Sequence, residues 1–284
     1  MKKLYAIIFW VLIFMPSCSS IIKRHNYILL IDNSKTINER TLDRYINTIE
    51  QTILPNLGRF DRLNIQFIDE CSITLPERIF MLDLASMAFE KDADGLNHAA
   101  DSTHTRMFRF LKDSMQANLR STILAKRKER RECGNYTDII NALNEATSLI
   151  TYEKSFESND DKIVNDAKGK NNYEYENCII IFSDMVNENR EKTFDFTQFG
   201  KCNPKEIEVK MDELRKMKKI PGLSGCKILV FGATTTLQNG GHANKQIENC
   251  KLFWQSFFDE GGAELVGYAY DARKEIEEYM TIND

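Results

Sequence analysis

The apolar run Tyr27–Ile31 stops at Asp32, and Asn33, Ser34, Lys35 and Thr36 follow. An Asp-x-Ser-x-Thr stretch gathers one carboxylate and two hydroxyls on a tight turn. These are hard oxygen donors, suited to Mg²⁺ with its octahedral geometry and retained waters. Two later stretches carry the same chemistry. Gly134-Asn135-Tyr136-Thr137-Asp138 offers the Thr137 hydroxyl just before a helical pattern, and Ile179–Phe182 runs through Ser183 into Asp184. Two aspartates brought together without a cation repel, and one takes up a proton; a divalent ion removes that conflict. Each stretch also has a plainer reading, in which Asp32, Ser34 and Thr36 cap a helix and Asp184 is a turn residue. The strand that precedes two of the stretches, and their order, favour a shared metal site.

Other chemistries find less support. The four histidines, His25, His98, His104 and His242, form no HExxH pair. Ser183 lacks the GxSxG elbow of α/β-hydrolases, and no Walker A or GxGxxG sequence is present. Gly240-Gly241-His242 reads as a loop tip. Cys71, Cys133, Cys178, Cys202, Cys226 and Cys250 contain no CxxC pair, which argues against a zinc knuckle or a thioredoxin-type centre. The spacing leaves all pairings of these six open. Cys178 and Cys226 start apolar runs and read as core thiols.

The elements that must position the oxygen donors follow from periodicity. Tyr27–Ile31, Cys178–Phe182 and Lys227–Phe231 are short, continuously apolar runs bounded by polar turns, the pattern of parallel strands covered on both faces. They are expected to be neighbouring central strands. Arg62–Ile68 alternates as a further strand, with Arg78–Leu84 as its hairpin partner and Glu264–Tyr268 as a last strand. Helical spacing marks Asn38–Leu54, Thr105–Leu124, a segment from Thr137, Glu206–Lys219 and a segment around Trp254, whose Phe257 and Phe258 read as core. Alternating strands and helices predict an α/β fold: a three-layer, doubly wound, mostly parallel sheet flanked by helices. Its ligands bind outside the carboxyl ends of the strands.

With these positions in view, the chain resembles the von Willebrand factor A domain and its metal-ion-dependent adhesion site. The matching residues are Asp32, Ser34 and Thr36, then Thr137, then Asp184. The element order is similar over the span from Tyr27 to Ala269. The resemblance implies a Mg²⁺ ion, with Mn²⁺ as a substitute, held by the hydroxyls of Ser34, Thr36 and Thr137 and by Asp32 and Asp184, directly or through water. It further implies a protein partner whose acidic side chain fills the remaining coordination position. Two positions depart from the family: Met185 stands where glycine is usual, and Lys35 adds a cation beside the loop. The segments at about 72–133 and 157–176 read as insertions in a domain spanning 27–284.

The opening residues address location. Lys2 and Lys3 precede an apolar run, Leu4–Met15, too short to span a bilayer. Met15-Pro16-Ser17-Cys18 resembles a bacterial lipobox, although leucine is commoner at the first position and alanine or serine at the second. Residues 1–17 are therefore expected to be a lipoprotein signal, Cys18 the lipidated start of the mature chain, and 18–26 a tether. The expected place is the bacterial cell envelope, at a membrane surface. Without Lys2 and Lys3 the count is 36 basic against 42 acidic residues, no footprint for nucleic acid. The basic run Lys126–Arg131 reads as a solvated helix end.

The leading expectation is thus a non-enzymatic binding module. One alternative is a metal-dependent phosphatase of the haloacid-dehalogenase type, whose first-strand loop is Asp-x-Asp-x-Thr. Here Ser34 replaces the second aspartate, and no lysine signature follows. The other alternative is a structural subunit of an envelope or mobile-element assembly with a silent metal site.

Overall fold

Residues 27–31 are continuously apolar because both faces of their strand are covered. The computed structural model describes residues 22–58, 61–72, 74, 78–83, 98–147, 150, 173–190, 204–233 and 243–282. Strand β1 (Ile22–Asp32) pairs in parallel with β2 (Arg62–Ile68) on one side and, across the sheet, with β4 (Tyr173–Phe182). Strand β3 (Arg78–Asp83) lies antiparallel on β2. Strands β5 (Lys227–Phe231) and β6 (Glu264–Ala269) extend the parallel set beyond β4. The order is β3-β2-β1-β4-β5-β6. The three apolar runs are thus adjacent strands at the middle of the sheet.

The helices are α1 (Glu39–Thr48), α2 (His98–Glu129), α3 (139–147), α4 (Pro204–Met217), α5 (Ala243–Gly261) and α6 (Arg273–Ile282). Side chains alternate across a strand, so β1 feeds two cores. Tyr27, Leu29 and Ile31 pack with α1, α2 and α6, while Ile28 and Leu30 pack with α3, α4 and α5. Trp254, Phe257 and Phe258 of α5 are fully buried in the second core, as their spacing predicts. Each such side chain contributes about 1.5–3 kcal/mol by leaving water. Helix α6 was not foreseen: only Ile276, Tyr279 and Met280 face inward, too short a stripe to stand out.

Two boundaries differ from expectation for one physical reason. Strand β1 begins at Ile22, inside the stretch read as a tether, and β4 begins at Tyr173, inside the stretch read as a polar loop. Their first halves pair with each other, from Ile22 opposite Tyr173 to Asn26 opposite Asn177. The polar side chains there satisfy one another. Asn26 Nδ2 donates to Asn177 Oδ1 at 2.9 Å, and Asp61 Oδ1 accepts from the His25 main-chain amide at 3.0 Å. Polar residues that are buried and paired carry no apolar signature.

The basic run also differs. Arg130 is buried, and its guanidinium grips Asp69. Arg127 is half-buried and donates to the Ile37 carbonyl at 2.6 Å. Lys128, Glu129 and Arg131 are exposed and Lys126 pairs with Glu129, so the rest of the run behaves as the solvated helix end expected. Of the insertion at 72–133, β3 and α2 are built into the sheet and its first core. Residues 1–17, Cys18, 84–97, 157–172 and Cys202 lie outside the described residues. No helix among the described residues is long and apolar enough to cross a membrane.

Candidate metal site

After β1 the chain moves to β2 and β3 on one side, and from β4 it proceeds to β5 and β6 on the other. The carboxyl ends of β1 and β4 therefore flank the point where the winding reverses, the place where open α/β sheets hold ligands. Asp32 is the last residue of β1, and Ser183 and Asp184 follow β4.

Asp32 is fully buried. Its Oδ1 accepts from the Ser34 amide at 2.9 Å, and its Oδ2 accepts from the Ser183 hydroxyl at 2.9 Å. Ser34 Oγ lies 2.8 Å from Thr36 Oγ1, with Ser34 buried and Thr36 exposed at the rim. Helix α1 is capped by Asn38, whose side chain accepts from the Thr41 amide at 2.9 Å. Helix α3 is capped by Asp138, through the Asn141 amide, and by Asn187, which accepts from the amides of Ile139 and Ile140. Capping thus has its own residues, and Asp32, Ser34, Thr36 and Thr137 are not needed for it.

Three loops meet here. The Lys35 amide donates to the Gly134 carbonyl at 2.8 Å, tying the first loop to the one that carries Thr137. Gly134 permits that approach, since a Cβ there would come within 2.8 Å of the Asn33 carbonyl. The Glu188 amide donates to the Thr137 carbonyl at 2.8 Å, tying the second loop to the segment after β4. The Ser183–Asp32 bond closes the triangle. Asp32, Ser34 and Thr36 form one side-chain cluster; Thr137, buried, and Asp184, half-buried, join it through their loops. Asp184 turns Oδ1 to the Val186 amide at 3.0 Å. Lys35 is exposed, and its ammonium donates to Asn135 Oδ1.

Burial pushes the Asp32 carboxyl above the ordinary carboxylate range, against the hydrogen bonds from Ser34 and Ser183 and the field of Arg127. Such a group gains from a nearby cation. The donor set fits Mg²⁺ chemically: neutral hydroxyls and carboxylates, with no thiolate or imidazole.

Met185 adopts φ +66°, a left-handed conformation that favours glycine. It is held there from both sides: its amide donates to Ser183 Oγ at 3.0 Å, and its carbonyl accepts from Trp254 Nε1 at 3.0 Å. Its side chain is fully buried in the second core. Left-handed geometry costs an L-residue about 1–2 kcal/mol, whereas removing a buried methionine costs about 2–5 kcal/mol. Burial therefore outweighs strain, and methionine stands where a glycine was expected.

A second group of candidate ligands, Asp69, Cys71 and Cys133, lies beside the first loop. Cys71 and Cys133 are joined as a disulfide, so neither sulfur is a free thiolate. Asp69 Oδ2 accepts from Arg130 Nε at 2.9 Å and Asn33 Nδ2 at 3.2 Å, and Oδ1 accepts from Arg130 Nη2 at 2.8 Å and the Cys71 amide at 3.0 Å. This cluster is a brace under the loop. Sequence reading missed Ser183, Asn187 and Arg130; the single signal for Ser183 was its place before Asp184.

Fold and geometry together define an α/β protein with a cluster of oxygen donors at the reversal point of a mostly parallel sheet. No protein-family model matches the chain, and no curated protein matches it.

Proposed function

We propose that this chain is a lipid-anchored bacterial envelope protein whose domain, of the von Willebrand factor A type, binds a protein partner through Mg²⁺. The observation that carries the reading is Asp32, a wholly buried carboxylate raised above its ordinary range, in one cluster with the hydroxyls of Ser34 and Thr36. The strand order supports it by setting that cluster at the reversal point. The Ser34 and Thr36 hydroxyls would hold the ion, with Thr137, Asp32 and Asp184 bonded to it directly or through water. When bound, the ion supplies an open coordination position for a partner's carboxylate. The chain's own part is to keep the donors in place: Ser183 orients Asp32, and Asn187 and Glu188 hold the Thr137 loop. The phosphatase alternative needs a second aspartate where Ser34 stands, and no observation of the site favours it.

Calorimetry with Mg²⁺ and Mn²⁺ on the wild type and on Asp32→Ala tests the proposal. The wild type is expected to bind, the variant to lose binding while keeping its circular dichroism, and chelation to mimic the variant. A wild type that takes up neither ion at millimolar concentration ends the metal reading.

A further inference from the structure

Tyr45 lies on α1 with its ring fully buried, 5.5 Å from the ring of Phe182 and 5.8 Å from that of Phe231. Its hydroxyl is buried and, among the described residues, has no hydrogen-bond acceptor. The cation beside it, Arg44, can only donate, so the phenolic proton has no acceptor. A buried hydroxyl left this way costs about 1–3 kcal/mol, and phenylalanine would fill the same space without it.

A Cβ on Gly232, at the end of β5, would come within 2.4 Å of the Tyr45 hydroxyl and 3.0 Å of the Ser183 carbonyl. Gly232 has φ +105°, and its lack of a side chain makes the hollow that receives the hydroxyl, next to the residue that orients Asp32. Burial, and after it the negative charges of Asp32 and Asp184, keep this phenol protonated. It is therefore a neutral O–H donor under the rim, within the field of both carboxylates. Arg44, its guanidinium 3.7 Å from the centroid of the exposed Tyr270 ring, stands on the outer side.

We infer that the Tyr45 hydroxyl is part of the ion's site, donating to a water shared by the Asp32 and Asp184 carboxylates and so fixing their orientation toward the metal. This rests on the metal reading above. Groups that orient a metal's ligands alter its affinity by about 10–100-fold when lost.

The experiment is Tyr45→Phe, with calorimetry of Mg²⁺ and Mn²⁺ and thermal unfolding in chelator. The expected result is an affinity lower by about tenfold with the metal-free midpoint unchanged or raised, since an unpaired polar group has been removed. Equal affinity in variant and wild type overturns the inference and leaves the metal site standing. A loss of affinity together with a lowered metal-free midpoint also overturns it, because the hydroxyl would then serve packing. A wild type that binds neither ion overturns the metal reading and this inference with it.

Discussion

Asp32 joins two demands that oppose each other. Its carboxylate must be charged to hold a cation, yet burial penalises that charge and raises its pKa. For a group whose pKa is raised on folding, the stabilising contribution is full below the unfolded value, where both states are protonated. It is lost as pH rises through the folded value. The metal-free protein is therefore burdened by Asp32 at neutral pH, and relief comes from a proton or from an ion. Asp32→Asn is expected to raise the metal-free stability at pH 7 by about 0.5–2 kcal/mol, read as a higher thermal midpoint, and to abolish Mg²⁺ uptake. The gain should vanish at pH 3, where the wild-type carboxyl is itself protonated. A midpoint that falls at pH 7 would mean that the hydrogen bonds from Ser34 and Ser183 outweigh the buried charge. Ser183 shows the same economy at residue scale, since one hydroxyl donates to Asp32 and accepts from Met185.

Among the elements, a buried charged brace stands beside the first loop. Arg130 leaves the end of α2, reaches Asp69 after β2, and meets Asn33 through the same carboxylate, while the Cys71–Cys133 disulfide closes the outside. Removing one member of a buried pair costs about 3–5 kcal/mol, because the other charge is left without compensation. Arg130→Met is expected to lose that amount in urea unfolding, and Asp69→Asn added to it to recover a large part; no recovery would assign the cost to lost packing. These partners come from different elements, which explains what the sequence hid. Apolar runs such as Cys178–Phe182 announce themselves by composition, and so do the helical stripes of α1 and α5. Arg130 looks like any other member of a basic run until Asp69 is folded against it. Asn26 and Asn177 likewise look like loop residues until their strands pair. The donors of the candidate site were legible as a loop motif plus two distant residues, because each follows a strand or precedes a helix. Tyr45 was read only as one apolar position of a helix, since nothing local distinguishes a phenol that packs from one that donates.

At the scale of the whole molecule, the parallel strands have a direction, and β1 runs from the amino-terminal side of the sheet to the candidate site. Ile22 is four positions after Cys18. If Cys18 carries the acyl chains, β6 begins at the membrane end and Lys35 sits at the far end. A fluorophore at position 264 should then be quenched by headgroup-labelled lipid in vesicles far more than one at position 35, and Cys18→Ser should abolish both the difference and palmitate incorporation. Equal quenching at the two positions would reject this orientation. The geometry also sets a reach. Four extended residues span at most about 14 Å, and the eleven residues of β1 add about 36 Å. With Cys18 acylated, the carboxyl end of β1 would then stand at most about 50 Å above the bilayer. Under that orientation a partner embedded in the same membrane would have to lift its carboxylate to that height, whereas one in solution or on a facing surface would meet the site directly.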